Sequence, residues 1–226
     1  MKLQNIELPE YTRTQENWNS ASHAAGTVFA LIAGPFLIKE AVITGSIYAI
    51  ISSIIFILSL ILLYTGSALY HGLPKSNLKK VLRVMDHNMV FILIMGSYAP
   101  YCMTVLRQYS PFWGWSILGL CWTLGIVGIV LNSIDMKKFR IVSMIDYILM
   151  GWIIIISFYP LCQSMRFIPG ILMLVLGGVS YTIGAVLYGI GGKKNQWFHV
   201  VFHFLCLVGS SLMFFSIYFY VIPLVA

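Results

Sequence analysis

The sequence predicts an all-α integral membrane protein, a bundle of seven spanning helices with its N-terminus inside and its C-terminus outside. Three observations carry that expectation. Only 9% of the 226 residues are charged and 59% are hydrophobic, whereas a soluble domain carries about a quarter of its residues as charges. Apolar runs of roughly 20 residues, the length that crosses a bilayer, recur between charged or turn-rich breaks along the whole chain. The cations gather in clusters that fall on alternate sides of those runs. Disordered, collagen-like and disulfide-framework classes are excluded by the same composition.

The first run, Trp18 to Ile38, follows the polar stretch Met1 to Glu16 and ends near Lys39. The second, Ser46 to His71, contains the unbroken apolar stretch Ile50 to Leu63 and stops before Lys75, Lys79, Lys80 and Arg83. The third, Val84 to Leu106, closes at Arg107, and the fourth, Phe112 to Leu131, closes before Lys137, Lys138 and Arg140. The fifth is Val142 to Cys162, ended by Arg166; the sixth is Phe167 to Ile190, ended by Lys193 and Lys194; the seventh is Trp197 to Pro223. Pro35, Pro100, Pro160 and Pro169 are expected near helix ends or one turn in, where a missing backbone donor is tolerated. Gly177, Gly178 and Gly184 suit close helix packing. Residues 1–17 read as a cytoplasmic tail and 18–226 as one membrane domain, with no room for a second, soluble one.

Seven spans put Lys2, Arg13 and the clusters at 75–83, 137–140 and 193–194 on one side, against Lys39, Arg107 and Arg166 on the other. Cytoplasmic loops are the ones enriched in Lys and Arg, which gives the inside N-terminus. The net charge of +7 therefore follows membrane topology, and no element is available to enter a nucleic-acid groove. The polar N-terminus has no apolar core of a signal peptide. Cys102, Cys121, Cys162 and Cys206 lack metal-finger or redox spacing and are expected as free thiols.

Ionisable residues inside a membrane are costly, so their depth is informative. His23 near the start of the first helix, Ser67 and His71 at the end of the second, Asp86 and His87 at the start of the third, and His199 and His203 at the start of the seventh all fall in one layer at the cytoplasmic side. That layer contains all 5 histidines of the chain. His199 and His203, in the stretch HVVFH, are spaced i and i+4 and project from one helix face. Such a pair can share a metal or serve as hydrogen-bonded packing. His71 and Asp86 are the nearest further candidates by depth. Three neutral histidines would bind zinc and leave a fourth position open to water, whose pKa the metal lowers toward about 7. Asp86 is then placed to accept a proton from that water, and Ser67, one turn from His71, to orient the water or bond Asp86. His87 reads as a structural residue, Cys206 as a buried thiol, and Asp146 as a partner of Lys137, Lys138 or Arg140. Trp18, Trp113, Trp115 and Trp197 read as interfacial anchors.

Four segments, ENWNSASHAAG at 16–26, SALYH at 67–71, DHNMVFILIMGSYAPY at 86–101 and HVVFH at 199–203, carry a family likeness. In their order and helix placement the chain resembles the hemolysin III family, the bacterial branch of the progestin and adiponectin receptor superfamily, along nearly its whole length. The resemblance implies a multi-pass protein of the bacterial cytoplasmic membrane that holds zinc near its cytoplasmic face. It also implies His71, His199 and His203 as ligands, Ser67 and Asp86 as the accompanying serine and aspartate, and Asn19 and His23 in a supporting role. Gln15 stands where members often have a second acid, and Ala24 and Ala25 replace a glycine-containing pair.

Two classes of function follow. The first is a zinc-dependent hydrolase of membrane lipid amides or esters, ceramidase-like and tied to membrane homeostasis. The second is a non-catalytic homeostasis or sensor protein in which zinc ties helices together. A pore-forming hemolysin and a ligand-gated receptor rank lower, for want of a secretion signal and of long outer loops. Membrane lipid is the expected partner; no nucleotide, haem or flavin motif is present, and oligomeric state is left open.

Overall fold

A bilayer offers backbone N–H and C=O groups no partner but each other, so each apolar run closes on itself as a helix. The computed structural model describes residues 6–191 and 195–225; Lys2, Lys193 and Lys194, which entered the charge asymmetry, lie outside the described residues. Among the described residues there is no strand, and seven helices are long and apolar enough to cross a membrane. They are α1 (Arg13–Ile43), α2 (Ile47–Gly72), α3 (Asn77–Tyr109), α4 (Pro111–Ile134), α5 (Arg140–Met165), α6 (Ile168–Gly191) and α7 (Trp197–Val225).

Several helices run past the ends their apolar stretches suggested, because polar caps outside the stretch extend them. Thr12 and Gln15 form a capping box that starts α1, with the Gln15 amide donating to Thr12 Oγ1 at 3.3 Å and Thr12 N–H donating to Gln15 Oε1 at 2.9 Å. Such reciprocal bonds satisfy two otherwise orphaned donors. Ser46 and Ser76 cap α2 and α3, and Pro111 opens α4 where its missing N–H costs nothing. Gly45, at φ 67°, makes the tight turn from α1 to α2.

The prolines are less peripheral than expected. Pro35 lies well inside α1, since the helix continues through Lys39 and Glu40 to Ile43 rather than stopping with the apolar stretch. After Pro100, α3 widens into a π-turn at Cys102–Leu106, where Thr104 Oγ1 donates to Pro100 O. The fifth helix is also interrupted, by a tighter 3-10 turn at Ile153–Ser157. Tyr98 of α3 repairs that break: its hydroxyl accepts from Ile154 N–H at 3.0 Å and donates to Gly151 O at 3.2 Å.

The spans pack in sequence, α7 returns against α1, and α3 runs through the middle, touching α2, α4, α5 and α7. Accordingly 78% of the most apolar stretch of α3 is buried, against 28% for α1, α5 and α6. Phe56, Tyr64, Phe91 and Tyr101 fill the core around it. The connections α2–α3 and α4–α5 and the start of α1 share one end of the bundle, the basic end, which holds Lys75, Lys79, Arg83, Lys137 and Arg140. All four cysteines are free thiols.

Small residues set the closest approaches. A Cβ on Gly26 would come within 2.6 Å of the Tyr64 ring and 2.8 Å of Leu207, whereas one on Gly119 would meet nothing within 4 Å. Gly26→Ala is therefore expected to destabilise the bundle by about 1–3 kcal/mol, read as a lower thermal midpoint in detergent, while Gly119→Ala leaves the midpoint unchanged or slightly raised.

Candidate metal centre

His71 sits in the last turn of α2, and His199 and His203 in the first two turns of α7. The i, i+4 spacing on α7 and the antiparallel run of α2 bring the three rings together at the basic end. Their centroids are 4.6–5.1 Å apart. His199 Nε2 lies 3.2 Å from His71 Nε2 and 3.1 Å from His203 Nε2, and all three side chains are buried. One ligand atom from each falls within 4.8 Å of the others.

Neighbouring groups decide which nitrogens face inward. His71 Nδ1 lies 2.5 Å from Glu16 Oε2 and His203 Nδ1 lies 3.2 Å from the carbonyl of Asn19. Both acceptors require Nδ1 to carry the proton, which leaves the Nε2 lone pairs pointing into the cluster. Glu16 is itself anchored: Lys79 Nζ donates to its Oε1 at 2.7 Å and to Leu73 O at 2.8 Å. Lone pairs so close repel unless a proton on His199 Nε2 or a cation lies between them. Nitrogens bound to a tetrahedral zinc at about 2.0–2.1 Å are spaced at roughly 3.3 Å, close to the separations found. The three histidines therefore fit a divalent ion.

The supporting residues fall as follows. Asn19 is fully buried, with its amide nitrogen 3.5 Å from His71 Nδ1. His23 stacks on His203 at 3.7 Å between ring centroids and meets Tyr64 edge-on at 5.0 Å; it holds the plane of a ligand ring without joining the cluster. Asp86 and Ser67 line the same cavity as His199 and His203. Of the two roles open to Ser67, the hydrogen bond to Asp86 is not formed, since Ser67 Oγ is buried without a partner. The two residues come from different helices, and only their depth was legible. His87 is structural: its Nδ1 donates to Arg83 O at 2.9 Å and its backbone carbonyl accepts from Tyr147 Oη at 2.9 Å. Asp146 pairs with none of Lys137, Lys138 or Arg140, and instead packs against Gly128 of α4; Lys137 pairs with Glu7 at 2.9 Å.

Sequence reasoning passed over Glu16, Lys79 and Tyr11, whose ring stacks on His199 at 5.1 Å. A signal existed for the first: Glu16, Asn19 and His23 stand at i, i+3 and i+7, one face of a helix.

The cavity beside the cluster, of about 130 Å³, reaches from Asp86, His199 and His203 past Leu63, Val90 and Ile94 to Tyr98 and Met213. Along α7 alone, His199 to Met213 spans about 21 Å at 1.5 Å per residue. A polar layer thus opens on a long apolar slot inside the bundle.

The family profile described as "Haemolysin-III related" matches residues 11–214. "Hemolysin-3" of Bacillus cereus is 32% identical, covering 92% of this chain and 93% of that one. "Hemolysin-3 homolog" of Bacillus subtilis (strain 168) is 34% identical, covering 93% and 96%. No solved structure matches.

The Glu16 and Lys79 pair is the enclosed one, with side-chain exposures of 19% and 5%, whereas Glu7 and Lys137 are 77% and 78% exposed. Glu16→Ala strands the Lys79 ammonium and is expected to cost about 3 kcal/mol. Glu7→Ala is expected to leave the thermal midpoint within error. Melting both variants beside the wild type checks the contrast.

Proposed function

Because the chain belongs to the haemolysin-III-related family of multi-pass membrane proteins, we propose that it is a zinc-dependent hydrolase of membrane lipid amides or esters. The observation that carries this reading is the convergence of three imidazole Nε2 atoms at the polar end of an apolar slot. His71, His199 and His203 would hold the metal. Bound there, zinc would supply a Lewis acid that polarises a carbonyl and brings a water's pKa toward about 7. Imidazole ligands suit several divalent ions, and zinc is the best match in geometry.

The chain's own residues supply the rest. Leu63, Val90, Leu93, Ile94 and Met213 line the slot and would hold an acyl chain, with its carbonyl at the histidine end. Asp86, on the wall of that end, takes the proton from the attacking water as the new carbon–oxygen bond forms. It then returns the proton to the leaving amine or alkoxide as the old bond breaks, releasing a fatty acid and an amine or alcohol. Ser67, whose hydroxyl is uncommitted, orients the water. The positive-inside bias of the basic end supports an inside N-terminus, with the centre beneath the inner leaflet.

A second reading, structural zinc, draws support from the same cluster, in which His71 of α2 meets His199 and His203 of α7 while α1 packs against both helices. Purified wild-type protein is expected to contain one equivalent of zinc, lost in His199→Ala. Glu16→Gln, which removes the carboxylate behind His71, is expected to weaken metal binding by about 10–100-fold in competition with a chromophoric chelator.

Asp86→Asn is expected to keep its zinc while kcat on a lipid amide falls by about 10²–10⁴. Zinc-loaded wild type that cleaves no member of an amide and ester panel, yet unfolds on chelation, decides for the structural role.

A further inference from the structure

A second cavity, of about 260 Å³, lies at the basic end beneath the segment that leads into α1. Its wall carries Arg83 of α3, Arg140 and Ser143 of α5, and His199 of α7, with Tyr11 over the top. Three residues of that wall also carry a buried polar atom with no hydrogen-bond partner: Arg83 at Nε, Ser143 at Oγ and His199 at Nδ1. Ser143 and His199 are only 6% and 7% exposed, and a buried polar atom without a partner is unfavourable until a complementary group reaches it.

The charges point the same way. Among the described residues neither Arg83 nor Arg140 forms an ion pair. The acids in the wall are committed: Glu7 to Lys137 at 2.9 Å, and Asp135 to the backbone N–H groups of Lys137 and Lys138 at 3.0 and 2.9 Å. The hydrogen bond from Lys137 holds the Glu7 carboxyl below the usual carboxylate range, so it stays an anion tied to that lysine. Against Arg83, Arg140 and Lys137 the wall sets Glu7 and Asp135, so a net positive charge remains, with neutral polar groups approaching from a third helix. A planar carboxylate presents two oxygens to one side, whereas a phosphate presents oxygens in tetrahedral directions, which suits groups that converge from three helices.

We propose that this cavity binds a phosphate group. Its two sources are the headgroup of an anionic lipid and free inorganic phosphate. The lipid source is favoured by continuity, because His87, Tyr147, Tyr188 and His199 line this cavity and the apolar slot alike. A single lipid would place its phosphate among the arginines and a hydrocarbon chain in the slot. The binding itself needs neither metal nor hydrolysis, so it stands or falls apart from the enzymatic reading.

The test uses the full-length protein in detergent, titrated in separate arms with inorganic phosphate, a short-chain phosphatidic acid and the matching diacylglycerol. Binding is followed by the rise in thermal midpoint and by phosphorus NMR line broadening. Arg140→Gln, at an exposed position that folding tolerates, and Arg83→Gln are each expected to weaken binding at least tenfold, with Lys39→Gln at the opposite end unchanged. Binding of phosphatidic acid and not of diacylglycerol, lost in the arginine variants, supports a headgroup site; inorganic phosphate bound with the same arginine dependence supports a soluble source. No phosphate-dependent shift in either arm, or equal shifts in wild type and Arg140→Gln, overturns the proposal.

Discussion

Two hydrogen bonds behind the histidine cluster govern the rest of its chemistry. His71 gives its Nδ1 proton to Glu16 and His203 gives its own to the Asn19 carbonyl, and each bond aims an Nε2 lone pair at the same point. In a dry interior that arrangement is unfavourable by itself, since like dipoles are forced together where little water screens them. It becomes favourable when a proton on His199 Nε2 or a cation takes up the lone pairs. Outer partners of this kind fix ring tautomer and orientation and raise ligand basicity.

Both acceptors come from α1, a helix otherwise turned largely toward lipid. Its contribution to the centre is concentrated on one face, where Glu16, Asn19 and His23 lie about one turn apart. The face reaches the three histidines because Gly26 lets α1 approach Tyr64, whose hydroxyl in turn shares hydrogen bonding between Ser210 of α7 at 2.6 Å and the Cys206 carbonyl at 3.1 Å. Thus the helix that contributes no ring to the cluster positions two of the three. Lys79, reaching back from α3, neutralises the carboxylate that this positioning requires.

His199 occupies the wall between two unlike cavities. On one side is a slot lined by aliphatic and aromatic residues; on the other is a chamber rich in guanidinium and hydroxyl groups. A soluble substrate gains nothing from the first and a pure hydrocarbon gains nothing from the second. On the reading proposed above, an amphipathic molecule would be matched by both, with its polar to apolar boundary at the histidines.

Much of this protein was legible in its sequence. Composition demanded a membrane, apolar runs located seven helices, and the helical rise assigned every histidine a depth; all of these are properties measured along the chain. The interruption of α5 was not legible, because Ile153–Ser157 is as apolar as its surroundings and only the Tyr98 hydroxyl inserted from α3 explains it. Nor was the choice of partners within the polar layer. Depth made Ser67 and Asp86 look like bonding neighbours and gave Glu16 no special claim, yet the structure leaves Ser67 unpaired and joins Glu16 to His71. A sequence reports position along the membrane normal, set by 1.5 Å per helical residue. The angle at which each helix faces its neighbours is set by side-chain packing between segments distant in the chain, and that angle decides which polar groups meet.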